Sequence, residues 1–195
     1  ENIIKKVYTA TDLNLYKGYR LSAIDGSTIE LQNTEELRKA FGYAENGKEE
    51  IARAKISEIY DIENNIIIDA IIDRYDTPER ELAIRHIEKL KEYGLQNDLV
   101  LFDRGYPSKE FIATLIENDI KFVMRVSKSF IKEVNNTKGE DETVTFRYNG
   151  KSYTIRVIKF ALDETTQETL ITTLYDESFT VDDFKELYFK RWGAE

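Results

Sequence analysis

Residues 182–195 read DDFKELYFKRWGAE, and the rest of the chain is organised around that stretch. At helical spacing Tyr188, Arg191 and Glu195 fall at i, i+3 and i+7, so one stripe carries a phenol, a guanidinium and a carboxylate. Phe184 extends the stripe back by one turn. A stripe that opens with two aromatics packs on a sheet, and continuing it with an arginine and a glutamate is costly unless both find partners. Phosphate and a metal ion are suitable partners, which directs attention to carboxylates upstream.

The totals narrow the chemistry. The 195 residues, 41% hydrophobic and 12% aromatic, suffice for one sizeable core, and a single domain over 1–195 is expected. There is no cysteine and only one histidine, His86, so thiolate and histidine-rich metal sites are excluded. Any metal would be held by oxygen, which favours Mg²⁺ or Mn²⁺. With 28 Lys+Arg against 37 Asp+Glu the net charge is −9, opposite to the footprint of a free-standing DNA-binding module. That balance suits a core whose acids hold metal while a longer protein grips nucleic acid elsewhere. The first residue is Glu1 rather than methionine, so a fragment is expected. No apolar run reaches the length of a membrane span and no signal peptide is evident; a cytoplasmic protein is expected.

Residues 1–19 show no clear period. Leu21, Ala23 and Asp25 share one parity of a short strand, with Asp25 at an inward position, Gly26-Ser27 as a turn, and a return strand through Ile29 and Leu31. Residues 33–50 form a polar, partly helical excursion, and residues 54–60 a strand. The run IIIDAII at 66–72 has the composition of a central strand, in which Asp69 and Asp73 are ordinary strand and strand-end residues. Thr77-Pro78-Glu79 opens a helix, with Ala83, Ile84, Ile87 and Leu90 as its apolar stripe, His86 at the surface and Gly94 as a stop.

DLVLF at 98–102 is a short apolar strand with Asp103 at its carboxyl end, where α/β sheets gather ligands. Pro107-Ser108 opens a second helix and KFVMRV at 121–126 a further strand. A β-rich insertion at about 128–168 follows, with strands turning at Asn149-Gly150. A strand at 170–174 and a helix capped by Thr180 end the chain. The order hairpin, strand, helix, strand, helix, strand, β insertion, strand, helix predicts an α/β fold with a mixed sheet, not a doubly wound dinucleotide binder.

Three motifs stand in sequence: IDGST at 24–28, LFDRGYPS at 101–108, and Tyr188-x2-Arg191-x3-Glu195. Together they resemble the DDE-type bacterial transposases of the insertion-sequence-four family, with Ser27 where the family has Thr. The resemblance covers residues 20–195 and implies a ribonuclease H-like mixed sheet flanked by helices. It also implies Asp25, Asp103 and Glu195 as the catalytic, metal-binding carboxylates. Three acids brought together repel one another, and a divalent cation removes that cost. Two Mg²⁺ (or Mn²⁺) ions are implied, activating water or a DNA 3′-hydroxyl for phosphoryl transfer that cuts transposon ends and joins them to target DNA.

On the same basis Arg191 and Tyr188 contact a DNA phosphate. Arg104 either steers phosphate or pairs with an acid, and Trp192 either packs the helix or stacks on a base. DNA is the implied partner, a homodimer bridging two ends is implied in the synaptic complex, and DNA recognition is expected N-terminal to Glu1. Two other readings use the same residues: a ribonuclease H-like nuclease without strand transfer, and an inactive transposase-derived binding module. Activity is expected of the parent protein and need not survive in this stretch alone.

Overall fold

The computed structural model describes residues 2–10, 12–47, 49–93, 97–127 and 129–192. By their contacts these fall into two compact units, Glu1–Leu13 with Ile24–Gln96, and Asn14–Ala23 with Asn97–Glu195. Strand β1 (Arg20–Glu30) contributes its first four residues to the second unit and the rest to the first.

The first unit begins with α1 (Asn2–Ala10), where the sequence predicts no element. Tyr8 fastens it by donating its phenol to Asp61 Oδ2 at 2.6 Å. Asp61 is fully buried and also accepts from the Asn64 backbone and side-chain amides, so its burial is compensated. It sits at the end of β3 (Glu49–Asp61), at the turn into β4 (Ile66–Arg74), where Asn65 takes the left-handed conformation that asparagine tolerates. Helix α2 (Glu35–Phe41) is capped by Thr34 and leads into β2 (Tyr43–Asn46), which pairs antiparallel with the start of β3; β4 pairs antiparallel with the rest of it.

Two expectations fail here. No hairpin forms at Gly26-Ser27: β1 runs unbroken through them, and Asp25 is exposed rather than inward. Asp-Gly reads as a turn only when nothing else claims the strand, and pairing overrides that local preference. A Cβ at Gly26 would lie 3.0 Å from Cγ of Glu79, a side chain that would have to give way slightly. The run at 66–72 is also not central. Strand β4 pairs only with β3 among the described residues, and Ile67 and Ile72 are exposed, so composition alone misassigned an edge.

Helix α3 (Glu79–Glu92) begins after Pro78, as read, but Thr77 donates to Asp73 Oδ1 at 3.2 Å instead of capping the helix. Its buried side is Leu82, Ala83, His86, Ile87 and Leu90, which puts His86 in the interior rather than at the surface. Burial is tolerated because each ring nitrogen has a partner: Asp69 Oδ2 at 2.8 Å from Nδ1 and Ser57 Oγ at 3.1 Å from Nε2. Gly94, the expected stop, lies outside the described residues.

The second unit carries a mixed sheet in the order β1, β5 (Asp98–Phe102), β6 (Lys121–Arg125), β9 (Gln167–Thr172), β8 (Lys151–Ala161), β7 (Asp141–Tyr148). Strands β1, β5 and β6 are parallel and the rest antiparallel. Strand β5 is buried at every position, the mark of a strand covered on both faces. Helix α4 (Lys109–Glu117) makes the crossover that parallel β5 and β6 require, capped by Ser108 accepting from Phe111 N at 3.0 Å. After a short α5 (Lys132–Asn135), β7 and β8 turn through Asn149-Gly150 with φ of 46° and 77°, the left-handed pair of a tight hairpin. The β-rich segment expected at 128–168 holds β7 and β8, and β8 pairs with β9 to extend the sheet.

Helix α6 (Val181–Trp192) starts with a reciprocal cap in which Asp183 N donates to Thr180 Oγ1 and Thr180 N donates to Asp183 Oδ2. Phe184, Leu187, Tyr188 and Arg191 form its buried stripe, and each of the apolar members contributes about 2 kcal/mol on burial. Arg156 on β8 locks the approach to this helix. It holds Asp141 of β7 through Nε and Nη2, at 2.8 and 2.6 Å, and donates to the carbonyls of Leu174, Asp176 and Phe179.

Candidate functional site

The polar centre of the second unit lies at the carboxyl ends of β5 and β6. Because these strands are parallel with Phe102 level with Met124, Asp103 and Arg125 follow them side by side. Asp103 is held in place by the segment after it. Tyr106 N donates to the Asp103 carbonyl at 3.2 Å, and the buried Tyr106 ring packs against Phe102 and Phe111, at 5.3 and 6.0 Å between centroids. The Arg-Gly-Tyr sequence thus makes a short turn with an aromatic anchor.

Two arginines face the Asp103 carboxylate without closing on it. Oδ1 lies 3.7 Å from Arg191 Nη2 and 3.9 Å from Arg125 Nη1, and this buried oxygen accepts no hydrogen bond among the described residues. Arg125 is turned mainly towards Glu168 on β9, giving Nη2 at 2.6 Å and Nε at 2.8 Å to Oε2. Glu168 is almost completely buried, and Arg104 Nη2 reaches the same oxygen at 3.5 Å. Burial opposes the charge of Arg125, yet its hydrogen bond to Glu168, with Glu168, Tyr188 and Asp103 nearby, raises its pKa above the ordinary arginine value. It is a fixed cation.

Helix α6 supplies the remaining wall. Tyr188 is buried with its ring under the Arg125 guanidinium at 5.4 Å and edge-on to Phe160 at 5.8 Å. Arg191, one turn on, is also buried. The side chain of Trp192 and the whole of Glu195 lie outside the described residues. Arg104 is half exposed and borders an open recess of about 330 Å³ whose lining includes Ser127, Thr165, Thr166 and Thr169.

Of the residues singled out in the sequence, the second unit brings together Asp103, Arg104, Tyr188 and Arg191. Asp25 belongs to the first unit, where its carbonyl accepts from Ser57 Oγ at 3.2 Å. Among the described residues no group of three His, Cys, Asp or Glu is placed to hold a metal ion. Sequence reading missed Arg125 and Glu168. Arg125 had a usable signal, because it closes an apolar strand at the same kind of end as Asp103; Glu168 becomes visible only through its non-local pairing.

Fold and site together define an α/β domain with a mixed sheet and a strand-end carboxylate framed by arginines. Residues 16–195 match the family model of the transposase DDE domain, and the chain belongs to that family. Among solved structures it is similar to a piggyBac transposase, seen by cryo-EM in a synaptic complex with hairpin DNA. The TM-score is 0.52 at 13% identity, over 88% of this chain and 37% of that one. A Mos1 transposase in a paired-end complex with the left transposon end aligns at a TM-score of 0.39 and 12% identity, over 62% of this chain and 38% of that one. At 13% identity the likeness to the first is one of fold, in keeping with the ribonuclease H-like mixed sheet that the motif resemblance implies. This chain spans well under half the length of either protein. No curated protein matches. No helix among the described residues is long and apolar enough to cross a membrane.

Proposed function

We propose that this chain is the catalytic core of a DNA transposase of the insertion-sequence-four type, which cuts transposon ends and joins them to target DNA by metal-dependent phosphoryl transfer. The observation that carries the reading is Asp103. It is a strand-end carboxylate with a buried oxygen that accepts no hydrogen bond among the described residues, faced by cations at 3.7 and 3.9 Å in a chain of the DDE family. An acceptor kept open in this way is suited to a divalent ion.

Asp25 and Glu195 are the proposed companions of Asp103. Asp25 is included on the IDGST motif at 24–28 and Glu195 on the Tyr188-x2-Arg191-x3-Glu195 spacing. When bound by such carboxylates, Mg²⁺ or Mn²⁺ supplies Lewis acidity to the attacking and leaving oxygens of an in-line displacement.

The chain's own groups do the rest. Arg191 and Arg125 place positive charge where phosphate charge develops, and Glu168 with Tyr188 keeps Arg125 oriented. Arg104 and the recess beside it offer a path for the DNA backbone, and Trp192 is proposed to pack on α6 or to stack on a base. A homodimer joining two ends and a bacterial cytoplasmic setting belong to the same proposal.

Calorimetry with Mn²⁺ tests it. Binding lost in both Asp25→Ala and Asp103→Ala is expected, together with loss of cleavage in the full-length protein for these and for Glu195→Ala. Binding and cleavage unaffected by Asp103→Ala would remove the reading.

A further inference from the structure

One hydrogen-bonded chain in the first unit takes no part in the chemistry above. Asp69 Oδ2 lies 2.8 Å from His86 Nδ1, His86 Nε2 lies 3.1 Å from Ser57 Oγ, and Ser57 Oγ lies 3.2 Å from the carbonyl oxygen of Asp25. The residue types are those of a hydrolytic triad. Ser57 is only 1% exposed and His86 wholly buried, so no substrate carbonyl can meet the hydroxyl. The chain ends on the backbone of β1 instead.

Its protons do not suffice for all three contacts. A neutral imidazole brings one N–H and the serine one O–H. With the ring proton at Nδ1, facing the Asp69 carboxylate, the Nε2 lone pair and the Asp25 carbonyl compete for the one serine proton, so Ser57 holds Asp25 for only part of the time. In the other arrangement Nε2–H donates to Ser57 and Ser57 donates to Asp25, but the bare Nδ1 lone pair faces a carboxylate. The charged groups felt by the ring are Asp69 on β4 and, more weakly, Glu58 on β3.

We propose that Ser57 is a positioning residue for the Asp25 stretch of β1, and that Asp69 and His86 decide whether its one proton is available to hold the Asp25 carbonyl. The proposal rests on reading Asp25 as a metal ligand. A backbone held at that residue leaves less ordering to be done when its carboxylate takes up a cation. Ser57 acts through Asp25 and touches no reacting atom.

The experiment is Mn²⁺ calorimetry on the full chain at neutral pH, comparing wild type with Asp25→Ala, Ser57→Ala, Ser57→Thr and Asp69→Asn. Asp25→Ala judges the underlying reading by itself: binding that it does not change removes that reading and this proposal together. Once Asp25→Ala loses binding, Ser57→Ala is expected to weaken Mn²⁺ about tenfold, and Ser57→Thr, which keeps the hydroxyl, to stay within about twofold of wild type.

Asp69→Asn is expected to tighten binding about two- to threefold, because its amide can donate to Nδ1 and so send the Ser57 proton to Asp25. General loss of packing would weaken both variants alike; opposite signs separate positioning from damage. Ser57→Ala at wild-type affinity, or Asp69→Asn no tighter than wild type, overturns the proposal while leaving Asp25 as a ligand. Should Ser57→Ala fail to fold, Asp69→Asn alone decides, in the same two directions.

Discussion

Arg191 Nη2 stands 3.7 Å from Asp103 Oδ1, too far for a hydrogen bond and near enough for a strong field. The arginine therefore places positive charge beside the carboxylate without a hydrogen bond to this oxygen. Arg191→Gln is expected to lower the rate of transposon-end cleavage about a hundredfold with little change in fold. Single-turnover cleavage, read beside circular dichroism, checks this; wild-type rates would make Arg191 a packing residue.

Glu168 is the anchor of Arg125. Replacing one member of a buried pair leaves the other charge uncompensated, at about 3 kcal/mol or more. Glu168→Ala is expected to lower stability by about that amount, and Glu168→Gln by less, because an amide oxygen still accepts from the guanidinium. Urea midpoints for the two variants measure the difference.

Arg104 is the cation of the site that solvent reaches. Arg104→Ala is expected to weaken binding to DNA of any sequence several-fold and to lessen the salt dependence of log K by about one. Titrations at several salt concentrations give the slope. An unchanged slope would assign Arg104 to the Glu168 pair alone.

His86 makes stability depend on pH in a defined direction. Burial lowers its pKa below the ordinary 6.5, outweighing the opposing hydrogen bond and charge of Asp69. Between the folded and unfolded values the unfolded chain binds the extra proton. The contribution is thus complete above about 6.5 and is lost as pH falls from there towards the folded value. Urea midpoints of wild type should decline on acidification through that window, and His86→Gln should remove that part of the decline.

Local chemistry was readable where it acts over a few residues. The caps at Ser108 and Thr180, the Asn149-Gly150 hairpin and the strand before Asp103 depend on neighbours in sequence and were all evident there. What failed depended on pairing across long separations. Asp25-Gly26-Ser27 carries every local mark of a turn, and β1 nevertheless runs through it. The apolar run at 66–72 could not announce that it would be an edge. His86 reads as a surface residue until Ser57 and Asp69, distant in sequence, supply its two nitrogens with partners. Of the site, Asp103, Arg104, Tyr188 and Arg191 were legible through their motifs. Arg125 was missed, although it closes an apolar strand as Asp103 does; strand register is what puts the two side by side.

The five contacts of Arg156 give the β7–β8 hairpin a firm root, and towards its tip the hold is on α4, where Lys151 and Tyr153 each donate to Glu117 Oε1 at 2.7 Å. Asp141 and the carbonyls before α6 are clamped at the root, while Asn149 and Gly150 turn at the far end. Length can therefore vary at the tip without disturbing the helix that bears Tyr188 and Arg191, whereas trimming from the root would cut the tether of that helix. For anyone wishing to graft a label or a fused module onto this protein, position 149–150 is the natural socket.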